Sequence, residues 1–320
     1  MYMFKYILKR LGLMLMTFCI IMVICFTLIK LLPIPINTAI GQDSTILVER
    51  LKARGYFDPI PVQLFNYIKR IFTEGDFGIG VNMPGFIGLP VWDAFVSRLP
   101  PTVLINIYST LIGVPVGLAL GIFAALKKNK WQDHVISTGV MVLISVPSIV
   151  YAFLIQYVFC FKLGWFPLMM ETGTDYFSWA MFRSMMPATL SLCLGSIAGY
   201  ARGTRAELTE VLTSEFMLLA RTKGLTRGQA TLRHALRNSM VPIFPSILSE
   251  FVAVLSGSMI IENIFAIPGV GMLYLTSIRV LDYDFFMLLS GFYCLVGLTA
   301  GIVVDISYGF IDPRIRMGAR

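Results

Sequence analysis

The sequence predicts an all-α integral membrane protein with six transmembrane helices, and two observations support this fold class. Of its 320 residues, 57% are hydrophobic and 14% are charged, whereas a soluble globular chain has about 25% charged residues. In addition, six largely apolar runs approach the length of about 20 residues that a helix needs to cross hydrocarbon roughly 30 Å thick. These runs cover residues 11–32, 102–126, 135–160, 187–204, 241–263 and 286–309.

The Lys and Arg residues predict how these runs are oriented. Most of the 26 lie before the first run, after the second, between the fourth and fifth, or after the sixth. Because short loops rich in Lys and Arg stay on the cytoplasmic side, we expect both termini to be cytoplasmic. The net charge of +8 is then mainly a topology signal. No basic stretch is interleaved with aromatic residues as in a single-strand binding groove, so we expect no nucleic-acid partner.

This topology divides the chain into four parts. Residues 1–32 hold the N-terminal cytoplasmic residues and the first transmembrane helix, which we expect to be retained. Residues 33–100 form a sizeable extracytoplasmic segment. Residues 101–310 form a core of five further transmembrane helices with a cytoplasmic loop at 205–239. Residues 311–320 form a cytoplasmic tail.

Two short helices are predicted in the extracytoplasmic segment. Ser44 can cap a helix that ends at Gly55, because glycine adopts the left-handed backbone at little cost. A second helix after Pro61 has an apolar stripe at helical spacing, which is formed by Phe65, Ile68 and Phe72.

The cytoplasmic loop contains a basic segment, residues 214–238, whose pattern predicts two further short helices. Ser214 precedes the first, and Glu215 lies in its opening turn, where a carboxylate suits the positive end of the helix dipole. Lys223 and Gly224 give a C-terminal signature before Leu225. The apolar stripe of this helix is formed by Phe216, Leu219 and Ala220.

Thr226 and Gln229 have the spacing of a capping box at the start of the second helix in this segment. That helix carries Arg227, Arg233, His234 and Arg237. From spacing alone, the segment is either a solvated basic loop or a surface that couples to a partner on the cytoplasmic side.

Small residues recur at four-residue intervals within three of the runs, which is typical of closely packed membrane helices. We therefore expect packing seams at these glycines rather than substrate contacts: Gly113, Gly117 and Gly121, then Gly195, Gly199 and Gly203, then Gly297 and Gly301.

Signs of catalysis are missing from the sequence. There is no G-x-x-x-x-G-K-[ST] phosphate loop, so the chain is not a conventional ATPase. The five cysteines include no C-x-x-C pair, and the two histidines lack ligand spacing for a metal. We expect no catalytic residue, no metal site and no cofactor in this chain.

Several motifs together carry a family resemblance. Glu215, Ala220, Lys223–Leu225, Arg233–Asn238 and Pro242 resemble the cytoplasmic coupling loop of ABC importer permeases. More narrowly, the chain resembles the first permease subunit of the oligopeptide, dipeptide and nickel uptake group, the inner membrane component of binding-protein-dependent transport. The further matching motifs are Arg98–Thr102, Glu262–Phe265, Pro268–Gly271 and Asp312–Arg316.

The resemblance implies the MetI-like transmembrane domain of type I ABC importers, with a coupling helix between the fourth and fifth transmembrane helices, in the plasma membrane of a prokaryote. It implies four protein partners besides the lipid bilayer: a second permease subunit, two cytoplasmic ATPases that hold ATP and magnesium, and an extracytoplasmic substrate-binding protein. The expected coupling residues are Ser214, Glu215, Phe216, Leu219, Ala220, Arg221, Lys223, Gly224, Leu225, Arg233, His234 and Arg237.

Peptides are the cargo that the resemblance implies, although nickel, metal-chelate, opine and glycoside importers share this permease pattern. A secondary transporter is the alternative from another class. Residues 33–100 either cap the bundle or dock the binding protein.

Three ionisable residues lie at membrane depth, where charge is costly. Glu250 and Glu262 are candidates for the translocation path, Glu250 by attracting a cationic group such as a peptide amine. The alternatives are a hydrogen bond from Glu250 to a neighbouring helix and a structural role for Glu262 at the outer turn. Asp305 is expected to pair with the basic cytoplasmic rim.

Overall fold

The computed structural model describes residues 2–32 and 44–311, and most of these residues are helical. The predicted tail from residue 312 onward and residues 33–43 of the predicted extracytoplasmic segment lie outside the described residues. In chain order the helices are α1 (Tyr2–Lys30), α2 (Ser44–Ala53), α3 (Ile60–Glu74), α4 (Val91–Leu126), α5 (Trp131–Ser145), α6 (Ser148–Ile155), α7 (Trp179–Leu212), α8 (Glu215–Thr222), α9 (Arg227–Ala230), α10 (Leu236–Ser239), α11 (Phe244–Ala253), α12 (Met259–Ile264), α13 (Val270–Arg279) and α14 (Tyr283–Ile311).

Two π-helical stretches, Gln156–Lys162 and Thr231–Ala235, continue α6 and join α9 to α10. The chain forms two compact units. Unit 1 comprises Met1–Thr102, Ser256–Asn263 and Pro268–Leu298, and unit 2 comprises Val103–Leu255, Ile264–Ile267 and Thr299–Arg320.

Three helices among the described residues are long and apolar enough to cross a membrane: Lys5–Lys30, Val91–Leu126 and Tyr283–Tyr308. They cover the first, second and sixth predicted runs. A fourth is obtained if α5 and the helix from Ser148 to Lys162 count as one span, although the two meet at 102°. The bend has a local cause, because Pro147 lacks a backbone N–H and restricts Val146 to extended backbone.

The predicted fifth run, residues 241–263, is not one continuous helix. α11 ends at Ala253 and α12 begins at Met259. Between them Gly257 has φ of 64°, and a Cβ built there would lie 2.4 Å from Glu262 Oε1 and 2.6 Å from Thr102 Cγ2. Only a residue without a side chain fits this turn, so the run is divided at a position that hydropathy does not reveal.

In unit 1, the two short helices predicted after the first run are confirmed as α2 and α3. Gly55 follows α2 with φ of 76°, as predicted, whereas the capping side chain of Ser44 lies outside the described residues. Tyr67 of α3 packs on Phe26 of α1, with ring centroids 5.7 Å apart. The predicted stripe of Phe65, Ile68 and Phe72 is exposed, so the stripe does not form the core-facing side of α3.

Two buried carboxylates hold the segment that precedes α4 in unit 1. Asp282 Oδ2 accepts hydrogen bonds from the backbone N–H groups of Val81, Asn82 and Met83 at 2.7, 2.8 and 3.0 Å. Asp284 accepts a hydrogen bond from Tyr56 Oη and another, of 3.0 Å, from the N–H of Ile79. Neither aspartate stands in a local sequence pattern that marks it as structural.

In unit 2, one predicted glycine seam is confirmed. A Cβ on Gly113, Gly117 or Gly121 of α4 would lie between 2.6 and 2.9 Å from a side chain of α7, so these glycines allow the two helices to pack closely. For the described part of the chain, the prediction of packing seams at the other five glycines is wrong. An added Cβ on Gly195 would meet Tyr151 Oη at 3.5 Å, and nothing lies within 4 Å at Gly199, Gly203, Gly297 and Gly301.

Candidate functional site

The basic segment of unit 2 begins with α8, which is a short helix with a sharp end. Its N-cap Ser214 has extended backbone, with φ of −74° and ψ of 154°, and Gly224 beyond its C-terminus has φ of 86°. The N–H of Leu225 donates to the carbonyl of Ala220 at 3.4 Å, which closes the final turn. The predicted glycine stop is therefore confirmed.

α8 has two apolar faces, and the described residues cover one of them. Met217 and Ala220 are buried in a cluster with Ala125, Leu208, Ala230 and Ala235. Phe216, Leu218 and Leu219 are exposed. The predicted apolar stripe of Phe216, Leu219 and Ala220 is therefore corrected, because only Ala220 of these three residues faces the core. An exposed apolar face on a helix fixed from behind is suited to the groove of a partner protein.

The second half of the segment is also built as predicted. Thr226 Oγ1 accepts a 3.3 Å hydrogen bond from the N–H of Gln229, and Gln229 Oε1 accepts a 3.1 Å bond from the N–H of Thr226, which completes the capping box. The ring of His234 lies edge-on to that of Phe216 at 5.7 Å. The remaining basic residues of the segment are exposed: Arg221, Lys223, Arg227, Arg233 and Arg237.

An ion pair that was not predicted from the sequence joins α5 to α7. The carboxylate of Asp133, which is 1% exposed, accepts two hydrogen bonds from the guanidinium of Arg205, one of them 2.8 Å long. Asp133 also accepts a bond from the N–H of Asn129. The pair is 72 residues apart in sequence, and no local pattern marks it.

A cavity of about 650 Å³ lies between α7 and α11 in unit 2. Its α7 wall contains Gly195, Gly199 and Gly203, which expose backbone to the cavity because they have no side chain. Its α11 wall contains Ser246, Ser249 and Glu250. Among its described lining residues are two carboxylates, Glu207 and Glu250, and no Lys or Arg, so the cavity has an acidic lining.

Glu250 lies in this cavity with its carboxylate held at one oxygen. Ser196 Oγ donates a 2.5 Å hydrogen bond to Glu250 Oε1. Nearby, Tyr200 Oη donates to the carbonyl of Ser246 at 3.1 Å, which ties α7 to α11. Glu250 thus makes the hydrogen bond to a neighbouring helix that was one of its two alternatives, and it also lines this cavity.

Glu262 has a different environment in unit 1, where it is 2% exposed. Its carboxylate accepts hydrogen bonds from Thr102 Oγ1 at 2.9 Å and from the N–H of Met272 at 3.1 Å. Gly257, Gly269 and Gly271 leave the space that it occupies, since a Cβ on any of them would lie within 3 Å of it. This burial favours the structural role over the translocation path.

The described residues contain no group of three or more His, Cys, Asp or Glu side chains that could hold a metal ion. The five cysteines are free thiols. The chemistry available in unit 2 is therefore that of an acidic, hydroxyl-lined cavity and an exposed apolar and basic helical surface.

An apolar multi-helix chain with a polar cavity and an exposed helix in a basic loop has the features of a membrane permease. Residues 117–317 match the family described as the inner membrane component of binding-protein-dependent transport systems. The chain belongs to this family, and it is the permease component of a binding-protein-dependent ABC importer.

Full-length relatives agree with this assignment. The chain is 32% identical to the dipeptide transport system permease protein DppB of Lactococcus lactis over 317 residues, with 98% of this chain and 100% of the relative covered. It is 32% identical to DppB of Bacillus subtilis over 315 residues, with 98% of both chains covered. It is 33% identical to the glutathione transport system permease protein GsiC of Salmonella choleraesuis over 318 residues, with 98% and 99% covered.

Two solved structures share the fold. An amino acid ABC transporter matches with a TM-score of 0.51 and 19% identity, over 68% of this chain and 94% of that chain. The methionine ABC transporter MetNI, in an inward-facing conformation, matches with a TM-score of 0.51 and 15% identity, over 68% and 97%.

Proposed function

We propose that this chain forms half of the translocation path through which an ABC importer takes up short peptides. The acidic cavity beside Glu250 is the observation that carries this proposal. Its volume of about 650 Å³ lies within the usual range for small-ligand sites. The relatives named for dipeptide and glutathione transport support peptides as the substrate class.

Glu250 is the residue that would recognise the peptide. A free peptide carries an ammonium group, and a carboxylate at membrane depth interacts strongly with such a cation because water screens it poorly. One carboxylate oxygen accepts the bond from Ser196, and because Glu250 lines the cavity the other oxygen would meet the ligand. The exposed backbone at Gly195, Gly199 and Gly203 would let a peptide approach α7 closely.

The proposed topology has six spans, with both termini in the cytoplasm and residues 33–100 outside it. α7 would be the fourth span, and α11 with α12 would form a broken fifth span. Non-helical backbone is tolerated at membrane depth where it lines a cavity or is buried in protein, which agrees with the division at Gly257. Residues 33–100 would meet the external binding protein.

α8 would be the coupling helix. Its exposed Phe216, Leu218 and Leu219 would enter a groove on a cytoplasmic ATPase, and the arginines around it would pair with acidic side chains there. Its buried Met217 and Ala220 pack against Leu208 of α7, so a displacement of α8 would be passed to the α7 wall of the cavity. A second permease would complete the path, and the ATPases would hold ATP and magnesium.

Reconstitution tests this function directly. A tagged chain should purify with a second permease and two ATPase subunits. In proteoliposomes supplied with the binding protein, the complex should take up a radiolabelled dipeptide with ATP and not with a non-hydrolysable analogue. Purification as a lone active homomer, or uptake without ATP hydrolysis, would contradict the assembly. ATP-driven uptake of nickel that dipeptides do not compete with would leave the assembly intact and overturn the substrate class.

A further inference from the structure

α3 has three distinct faces, and one of them is apolar and not covered by any described part of the chain. Ile60, Leu64, Tyr67 and Ile71 pack in the core of unit 1. At 3.6 residues per turn, Pro61, Phe65, Ile68 and Phe72 lie within a sector of about 60° that is centred roughly a quarter-turn from this buried face. Phe65 is 67% and Phe72 is 85% exposed. Apart from Val62, which is exposed, the rest of the helix surface is polar and contains Asn66, Lys69, Arg70 and Thr73.

The contacts of α3 place it beside the C-terminal end of α1. Tyr67 packs on Phe26, and Ile29 belongs to the same buried cluster. Both partners lie in the last turns of the span Lys5–Lys30. Because a spanning helix ends where hydrocarbon gives way to headgroups, α3 lies at that boundary, where Lys and aromatic side chains are enriched. Leu28 and Leu31, at the same end of α1, are also exposed and apolar.

We infer that α3 is an interfacial helix whose Pro61, Phe65, Ile68 and Phe72 insert into the lipid at the membrane surface where α1 ends. The apolar sector contains no polar side chain that would define the register of a protein partner. The helix packs on the end of α1, where Leu28 and Leu31 are exposed, and the sector that carries Lys69 and Arg70 would then face water and headgroups. This three-way division is typical of helices that lie in the membrane plane.

Insertion of α3 into the lipid would also position the rest of the extramembrane part of unit 1. Tyr56, which precedes α3, donates a hydrogen bond to the buried Asp284, and Gly75, which ends α3, is followed by the segment that Asp282 and Asp284 hold. An α3 fixed in the lipid surface would therefore hold this whole extramembrane part at one height above the bilayer. The inference does not depend on which cargo crosses the membrane.

Site-directed fluorescence in liposomes tests the inference on the full chain. In a variant whose five native cysteines are replaced by alanine, single cysteines at Phe65 and Phe72 are labelled with a nitrobenzoxadiazole dye. Asn66 and Thr73, one residue further along, serve as matched controls. Lipid carrying a nitroxide near the headgroup should quench the dye at 65 and 72 about threefold more than at 66 and 73, and aqueous iodide should show the reverse order.

Two results would overturn the inference. Equal iodide quenching at all four positions would mean that the stripe faces water. Protection of 65 and 72 from both quenchers would mean that protein covers it. Should removal of the cysteines prevent folding, benzoyl-phenylalanine at position 72 of the otherwise native chain should crosslink to phospholipid on illumination, and at position 73 it should not. Crosslinking of position 72 to protein alone would also refute lipid insertion.

Discussion

Thr102 donates a 2.9 Å hydrogen bond from Oγ1 to the buried carboxylate of Glu262, which is 160 residues away in sequence. The same hydroxyl accepts a 2.9 Å bond from the N–H of Val270. One side chain at the predicted start of the second span thus joins α12 to the first turn of α13. The motifs Arg98–Thr102, Glu262–Phe265 and Pro268–Gly271 meet at this point.

Thr102→Val should destabilise unit 1, because the N–H of Val270 and one oxygen of Glu262 would be buried without this partner. Such losses cost about 1–3 kcal/mol. Thr102→Ser keeps the hydroxyl and is the matched control. Thermal unfolding in detergent should rank the wild type and the serine variant above the valine variant. A valine variant as stable as the serine variant would show that the hydroxyl is not needed.

Gly224→Val should cost about 1 kcal/mol or more, because a β-branched residue is strained in the left-handed backbone that ends α8. It should also uncouple ATP hydrolysis from uptake by disordering the end of the proposed coupling helix. Gly228→Ala is the control in the same segment, since Gly228 is helical and nothing lies within 4 Å of an added Cβ. Full ligand-stimulated ATPase and transport in a normally assembled Gly224→Val complex would refute this role for Gly224.

In the basic segment, residues 214–238, the features that could be predicted from sequence are those that depend on neighbouring residues. The capping box at Thr226 and Gln229 and the stop at Gly224 depend on residues within one turn of each other, and both are present as predicted. The covered face of α8 was not predictable in this way. Met217 and Leu219 are equally apolar, and only the packing of α8 against Leu208 decides which of them is buried.

Other features depend on contacts between distant residues. Asp282 holds the backbone of Val81 from 201 positions away, and Asp133 pairs with Arg205 across 72 positions. Neither contact can be predicted from the composition of the chain or the spacing of its residues. Hydropathy likewise treats residues 241–263 as one run, although the position of Glu262 requires a turn at Gly257.

The two glycine stripes of unit 2 should respond oppositely to alanine. At Gly117 an added Cβ would lie 2.8 Å from Tyr200 Cβ and 2.9 Å from the carbonyl oxygen of Ile197, and such overpacking costs about 1–3 kcal/mol. At Gly199 no atom of the described residues lies within 4 Å of an added Cβ, so alanine should be neutral or stabilising by up to about 1 kcal/mol, because it favours the helix. The melting temperature of Gly117→Ala should fall below that of the wild type and that of Gly199→Ala should not, and equal losses would contradict the packing described for α4 and α7.

Lowering the pH from 7 to 5 should stabilise unit 1 through Asp282. Burial raises the pKa of Asp282 to about 6, above about 3.9 in the unfolded chain. The folded state therefore binds a proton more readily in this window, so stability is gained as the pH falls and lost as it rises. The expected gain is about 1 kcal/mol. Asp282→Asn cannot titrate, so its melting temperature should rise less than that of the wild type, and parallel profiles would contradict the prediction.

Glu250→Gln should change which peptides are taken up. The carboxylate favours cationic ligands in a cavity whose described lining has no Lys or Arg, and glutamine keeps the size and the bond from Ser196 but removes the charge. The uptake ratio of a lysine-containing to an aspartate-containing dipeptide should fall about fivefold, which corresponds to about 1 kcal/mol of lost attraction. Ser249→Ala, which alters the same cavity without changing its charge, should keep the wild-type ratio. Competition uptake with the intact complex measures both variants, and an unchanged ratio in a normally assembled Glu250→Gln complex would remove Glu250 from the proposed path.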